Sequence, residues 1–496
     1  MSLRLYNTGT RRVDPFTPVR DENVRIYVCG MTPSAEAHLG HARSFLTFDV
    51  LRRHLVASGY RVTFVQNVTD IDDRSIQRAA ELGIPWSVLM DRHYASFKRS
   101  MRALHVLEMD HEPRATVFIP QIIEMIQGLL ERGHAYVVDD GVYYAVKTFE
   151  RYGALSGRNV DELLVGARIA PGEKKLDPLD FALWKFAKPG EPFWESPWGS
   201  GRPGWHIECS AMSHVLLGEP FDIHGGGYDL VFPHHENEIA QSEPLLDGHT
   251  PMVNVWMHGG LLMFDGKKMS KSLGNFEPLS NLLERHDPQA IRLLFLQTGY
   301  RKPMNFTEAS IEGATSALER LLDAYDRLRR EPAAQIVPSA HPERDLHRRR
   351  FIEALDDDLN TAAALSSLFD VVRETDTWID SGEAAPIADF LLESMDVLGI
   401  SPNERTIARS RSTSGADEVP SDLAERFKRL RSALSSVASL DGVSGDAFLN
   451  LLIETRRDAK RAKDFARADQ IRKALADEGI SLVDGRDGTT SWAIVQ

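Results

Sequence analysis

Cys29 and Cys209 are the only two cysteines in this chain. At that number no disulfide framework exists, and alone each reads as a small buried hydrophobe. Their neighbours change the reading. His234 and Glu238 stand four residues apart in PHHENEIAQSE, a spacing that puts both on one face of a helix. Two thiolates, one imidazole and one carboxylate make a tetrahedral zinc shell, provided all four converge. Taken singly, His234 reads instead as a hydrogen-bonded histidine at a helix N-terminus. A metalloprotease helix is excluded, because Ile239 stands where a second histidine would have to follow His235-Glu236.

Two further clusters suit phosphate. His38-Leu39-Gly40-His41 lies between a predicted strand and helix. There Gly40 lets the backbone approach, the helix N-terminus offers amide donors, and two imidazoles can donate to phosphate oxygens. Lys268-Met269-Ser270-Lys271-Ser272 follows Asp265-Gly266 and places two cations and two hydroxyls on one loop, which could close over a triphosphate. Without context the first is a surface loop and the second a solvated basic turn. Neither is a P-loop: five residues separate Gly260 from Gly266, and Lys268 occupies the Ser/Thr position. Gly199, Gly201 and Gly204 match a dinucleotide fingerprint formally. Trp198, Pro197 and Pro203 around them leave no room for its strand and helix, and it is rejected.

The elements that must position these residues follow from periodicity. Val24 to Cys29 reads as a buried strand, about Ala42 to Ser58 as a helix with Phe45, Phe48, Leu51 and Leu55 at helical spacing, and Tyr60 to Val68 as a second strand. Such a crossover unit places ligands at the C-terminal ends of its strands. Residues 75–133 read as helical with breaks at Pro113 and Pro120, and 134–204 as an irregular insertion with short strands. Strands return at Phe221–His224 and Val253–Met257, with a helix from about His234 between them. From Thr307 to Leu398 the pattern is helical, interrupted at 331–345. A polar linker occupies 401–422, and no repeats occur at solenoid periods.

Composition bounds the class. The 496 residues are 42% hydrophobic, 26% charged and 8% aromatic, which excludes a disordered, collagen-like or coiled-coil chain. With 58 Lys+Arg against 72 Asp+Glu the net charge is -14, which argues against indiscriminate nucleic-acid coating but leaves room for a local basic face. No run of about 18 apolar residues occurs, and the first residues lack a signal-peptide core, so the reading is a cytoplasmic protein with no membrane partner.

Together and in this order, the clusters resemble the cysteinyl-tRNA synthetases, a class I aminoacyl-tRNA synthetase family. The resemblance rests on YVCGMT (27–32), HLGH (38–41), NVTDIDDR (67–74), GRPGWHIECSAM (201–212), FDIHGGGYDLVFPHHENEIAQSE (221–243) and KMSKSLGN (268–275). It continues through LDDDLNT (355–361), AKDFARADQIRKAL and GISLVDGRDGTTSW, and so covers essentially the whole chain. One departure is local: where the family has Thr, any residue, Tyr, Asp, this chain has Thr32-Pro33-Ser34-Ala35.

The resemblance implies an α/β fold: a Rossmann-like parallel-sheet catalytic domain with an insertion, then an α-helical bundle and a small C-terminal anticodon-binding domain. The boundaries are a first catalytic half at 1–120, a connective insertion at 121–205, a second half with the KMSKS loop at 206–306, a bundle at 307–400, the linker at 401–422 and the C-terminal domain at 423–496. It implies a ligase that converts L-cysteine and ATP to cysteinyl-adenylate and transfers the cysteinyl group to the 3′-terminal ribose of tRNA(Cys), acting as a monomer. Catalysis falls to His38, His41, Lys268 and Lys271, and ATP contacts to His38, Gly40, His41, Lys268, Ser270 and Lys271, with Mg2+ accompanying ATP. Substrate contacts fall to Tyr27, Gly30, Thr32, Thr69, Trp205 and Asp229, the last taking the substrate ammonium. One Zn2+ on Cys29, Cys209, His234 and Glu238 takes the substrate sulfur. A site built for one polar group rejects analogues lacking it by roughly 10⁴ to 10⁵, which makes editing unnecessary.

Near the C-terminus Arg456, Lys460, Lys463 and Arg467 recur at four, three and four residues, with Phe465, Ala468 and Leu475 turned elsewhere to pack. In isolation this is a solvated helix face; with the resemblance it reads as contact to the anticodon region. Rival readings are a cysteine ligase of mycothiol synthesis, a noncatalytic tRNA-binding protein with a decayed site, and a thiol redox protein. The C-terminal domain opposes the first and the intact motifs the second. The distance in sequence between the cysteines opposes the third.

Overall fold

The computed structural model describes residues 3–20, 22–159, 174–246, 251–264, 266–268, 277–331 and 342–402, and parts of the C-terminal region: 429–430, 434, 452–453, 455–456, 459–460, 464–478, 480–484 and 490–494. The chain divides into two compact units, Met1–Arg405 and Thr406–Gln496. The catalytic halves, the insertion and the bundle, read separately from the sequence, thus share the first unit. No helix among the described residues is long and apolar enough to cross a membrane.

A short hairpin, β1 (Arg4–Asn7) and β2 (Arg12–Pro15), precedes the central strand β3 (Asn23–Met31). Helix α1 (Leu39–Ala57) carries the chain over to β4 (Arg61–Val68), which pairs parallel to β3. Phe45, Phe48, Leu51 and Leu55 of α1 are all buried, as their spacing predicts. Helices α2 (Asp73–Leu82), α3 (Trp86–Ala103) and α4 (Ile119–Glu131) follow. Pro120 falls in the first turn of α4 rather than breaking a helix, where its missing N–H costs nothing.

The insertion is a four-stranded antiparallel sheet in the order of its strands, β5 (Ala135–Val138), β6 (Gly141–Tyr144), β7 (Phe181–Phe186) and β8 (Gly201–Pro203). Helix α5 (Trp205–Leu217) starts directly from Gly204. The rejected dinucleotide fingerprint therefore does have a strand and a helix. Gly201 lies within the strand, however, and a Cβ on Gly204 would meet the Ala182 carbonyl oxygen at 1.9 Å, so these glycines serve strand packing.

The chain then returns to the sheet as β9 (Phe221–Gly227), passes through helix α6 (Glu236–Ser242), and finishes the sheet with β10 (Val253–Gly259). The order is β10-β9-β3-β4, all parallel. Strands buried on both faces suit that arrangement, and β3 is buried along nearly its whole length. From β3 the chain winds to one side through β4 and later to the other through β9. The crevice beyond the carboxyl ends of β3 and β9 is therefore the switch point where such sheets bind ligands.

A small sheet, β12-β11-β13, joins β11 (Leu262–Phe264), β12 (Lys267–Lys268) and β13 (Met304–Phe306). Helices α7 (Leu279–Arg285) and α8 (Pro288–Leu296) lead to the bundle, α9 (Glu308–Leu328), α10 (Pro342–Asp356), α11 (Thr361–Arg373), α12 (Thr375–Asp380) and α13 (Ala384–Val397). Arg292 on α8 is fully buried, paired with Asp49 of α1 and donating to the carbonyls of Leu104 at 2.9 Å and Leu398 at 2.5 Å. One guanidinium thus ties the sheet layer to the bundle.

In the second unit, helix α14 (Phe465–Asp477) starts at an Asp464 cap and leads to the hairpin β14 (Ile480–Asp484) and β15 (Thr490–Ile494). This corrects the basic stripe. Asp464 begins a new helix between Lys460 and Arg467, and Arg456 is 3% exposed. Phe465 is 63% exposed rather than packed, while Ala468 and Leu475 are buried as expected. A run at helical spacing does not survive a capping residue in its middle. Lys463 and nearly all of the 401–422 linker lie outside the described residues.

Candidate active site and metal centre

Four elements deliver the thiol and imidazole cluster. Cys29 stands near the carboxyl end of β3, Cys209 in the second turn of α5, His234 just before α6, and Glu238 within it. α6 begins at Glu236, two residues later than the pattern predicts, after an irregular turn at Val231–His235. All four side chains are buried, and one donor atom from each lies within 4.8 Å of the others. Cys29 Sγ is 3.9 Å from Cys209 Sγ and 3.6 Å from Glu238 Oε1, which is 3.1 Å from His234 Nε2. The convergence that the metal reading requires is present.

A second set, Cys29, His224, His235 and Glu238, also meets the distance condition. The hydrogen bonds separate the two. His234 Nδ1 sits 2.8 Å from His206 Nδ1, which leaves Nε2 facing the cluster. Glu238 Oε2 is held by His224 Nε2 at 2.9 Å, which leaves Oε1 facing it. His235 bonds His258 at 2.7 Å through Nδ1 and approaches Cys29 Sγ at 3.3 Å through Nε2; His258 in turn bonds Thr8 Oγ1 at 2.8 Å. His206, His224, His235 and His258 thus surround the set with two thiols, and His206 and His224 hold its His234 and Glu238 side chains in place. That outer ring was missed in the sequence, although its signal is legible in the clustering of histidines in WHIEC, FDIHGGG, PHHEN and VWMHGG within 206–258.

Burial sets the charge state of the cluster. It pushes the Cys29 thiol well up, with Cys209 and Glu238 adding, and it raises Cys209 as well. It drives His234 and His235 well below the usual imidazole value, with neighbouring histidines adding, and pushes His206 and His258 down to about 3. The imidazoles are held neutral, the form in which they bind metal, and only the thiols must lose protons to do so. The donor set therefore fits zinc.

In front of the cluster lies an 840 Å³ cavity lined by Cys29, Gly30, Thr32, His38, Gly40, His41, Trp205, Glu208 and Asp229, among others. Gly30 admits no side chain, since a Cβ would stand 1.6 Å from the Asn67 carbonyl oxygen. Trp205 is 43% exposed and its ring centroid is 4.5 Å from that of His234. Asp229 is exposed. Tyr27 and Thr69 are buried and do not line the cavity; Tyr27 packs edge-on behind His224 with ring centroids 5.1 Å apart.

At the other end, His38 and His41 cap their own helix. Gly40 N donates to His38 Nδ1 at 3.0 Å and His38 N to His41 Nδ1 at 3.2 Å. Accepting at Nδ1 places each neutral ring's proton on Nε2. The amides at this helix end expected to meet phosphate are thus taken in part by the imidazoles. Lys268 is placed on β12 by its backbone, whereas Ser270 and Lys271 lie outside the described residues.

A parallel sheet with a histidine-capped helix after its first strand defines the class. Residues 15–316 match the family described as tRNA synthetases class I (C) catalytic domain, and residues 350–401 match the DALR domain. The methionyl-tRNA synthetase of Mycobacterium tuberculosis in complex with methionyl-adenylate shares the fold, with a TM-score of 0.56 at 15% identity over 78% of this chain and 96% of that one. The cysteine--tRNA ligase of Alkalilimnicola ehrlichii is 48% identical, covering 98% of this chain and 99% of that protein, and that of Dehalococcoides mccartyi is 43% identical, covering 99% of each. The chain belongs to the cysteine--tRNA ligase family.

Proposed function

We propose that this enzyme activates L-cysteine with ATP, accompanied by Mg2+, and transfers the cysteinyl group to tRNA(Cys), and that it selects cysteine through zinc. The observation that carries the reading is the convergence of Cys29, Cys209, His234 and Glu238 at the switch point, beside a cavity that also reaches His38 and His41. Bound there, zinc supplies a ligand position that favours a thiolate over the hydroxyl of serine.

The chain's own residues do the rest by placement and charge. Trp205 walls the cavity beside the shell, and Asp229 faces its open side. His38 and His41 present Nε2 donors towards the triphosphate, where charge develops on the α-phosphate as the amino-acid carboxylate attacks. Lys268 and Lys271 hold the outer phosphates, and no protein nucleophile is needed. The basic residues that remain exposed in the second unit contact tRNA.

Transfer of labelled cysteine to bulk tRNA, with ATP, Mg2+ and serine as control, tests the reading. Cysteine-dependent and serine-independent charging is expected. Equal charging by both amino acids would remove the metal from selection, and no charging with persistent ATP–pyrophosphate exchange would assign a different acceptor.

A further inference from the structure

Arg43 follows His41 by two residues on α1 and is 4% exposed. A buried guanidinium is costly unless its N–H groups are satisfied, and an acid is its usual partner. Among the described residues Arg43 bonds main-chain carbonyls instead. Its Nη1 donates to Leu261 O at 2.8 Å and Gly260 O at 3.2 Å, and its Nη2 to Lys302 O, Tyr300 O at 3.4 Å and Gly299 O at 3.5 Å.

Those carbonyls belong to two segments with one destination. Gly260 and Leu261 join β10 to β11, and 299–302 lead into β13. The segments also bind each other: Gly260 N donates to Tyr300 O at 2.7 Å and Met304 N to Leu261 O at 3.0 Å. Beyond them β11 pairs with β13 and with β12, where Met263 lies opposite Lys268. One side chain of the histidine-capped helix thus grips the root of the small sheet that carries Lys268. Lysine could not replace it, since a point charge does not span two loops as a planar fork does. Both terminal nitrogens are spent on carbonyls, so the grip, rather than contact with phosphate, is what Arg43 supplies.

We propose that Arg43 is a positioning residue for ATP activation, which holds the β11–β12 hairpin, and with it Lys268, at a fixed place relative to His38 and His41. The proposal rests on the activation reading above. Stabilising a triphosphate from two parts of the chain requires that the two parts keep their spacing while charge develops. Arg43 is the side chain that joins them through directed bonds at both ends.

The test is a double-mutant cycle in cysteine-dependent ATP–pyrophosphate exchange. Arg43→Lys is expected to lower kcat by about 10- to 100-fold, the range for displacing a charge-stabilising group by about an ångström. Zinc content is held and the KM for cysteine stays within about threefold, since Arg43 touches none of the residues at the metal end. In a Lys268→Ala background the same change is expected to cost less than about threefold, because the group it places is gone. An unchanged kcat for Arg43→Lys overturns the proposal. So does a loss as large with Lys268→Ala as without it, which is the result for a residue that meets phosphate directly or serves stability alone. Should Arg43→Lys fail to fold, Gly260→Ala decides. Its Cβ would stand 2.5 Å from Arg301 O and so displaces the same root, and its loss of kcat must show the same dependence on Lys268. A wild-type protein without cysteine-dependent exchange fails the activation reading itself, whereas wild-type exchange with losses that multiply fails only this proposal.

Discussion

At the β3/β9 end of the cleft, Cys29, Cys209, His234 and Glu238 are each 6% exposed or less and are braced by four outer histidines. At the α1 end, His38 and His41 are only half-buried, and the lysines assigned to the same triphosphate come from another part of the chain. On the proposed reading, the difference follows from what each end has to recognise. Telling sulfur from oxygen depends on donor placement to fractions of an ångström, so that end is built into the core. A triphosphate is held by charge, which tolerates looser placement, so donors can be brought to it from separate loops.

The largest separation of the two ends comes from Cys209→Ala. Bound zinc is expected to fall from one per chain to near zero, with cysteine activation down by more than about 100-fold, beyond what losing an outer partner costs. Metal analysis beside exchange assays checks it; undiminished zinc with unchanged preference over serine would sink the metal assignment. Lys268→Ala probes the opposite end. It is expected to lower kcat for exchange by about 10²- to 10³-fold, as loss of a charge-stabilising donor does, with zinc content and KM for cysteine held. If zinc content fell too, the ends would not be separable.

The smallest effect is on stability and concerns the metal end alone. In the unfolded chain imidazoles take up protons below about pH 6.5. In the folded, chelator-treated protein burial holds His206, His234, His235 and His258 neutral, with His206 and His258 down to about 3. The unfolded state then binds more protons, so stability is fully present above about pH 6.5 and falls with falling pH. Urea denaturation between pH 7.5 and 5 reads this directly, and a flat profile would mean that the ring is hydrated.

Much of the site was legible in the sequence. The i, i+4 spacing of His234 and Glu238, the thiol at the end of a buried strand and the histidines flanking Gly40 are local features, and local features leave periodic traces. The capping role of His38 and His41 was not legible, because a histidine at a helix start looks the same whether it bonds an amide or water. The basic stripe misled for a related reason: periodicity counted across Asp464 assumes a helix that this residue restarts.

The sequence by itself determined the family and the parallel α/β plan and singled out four residues that converge, because these depend on residue types and on order along the chain. Only the tertiary structure brought four further histidines around the two thiols, His234 and Glu238. That outcome depends on the β3/β9 register, which sets Tyr27 opposite His224, and on the docking of α5 against the sheet. These contacts join residues far apart in sequence, and whether a buried polar atom finds a partner is settled only when such contacts close.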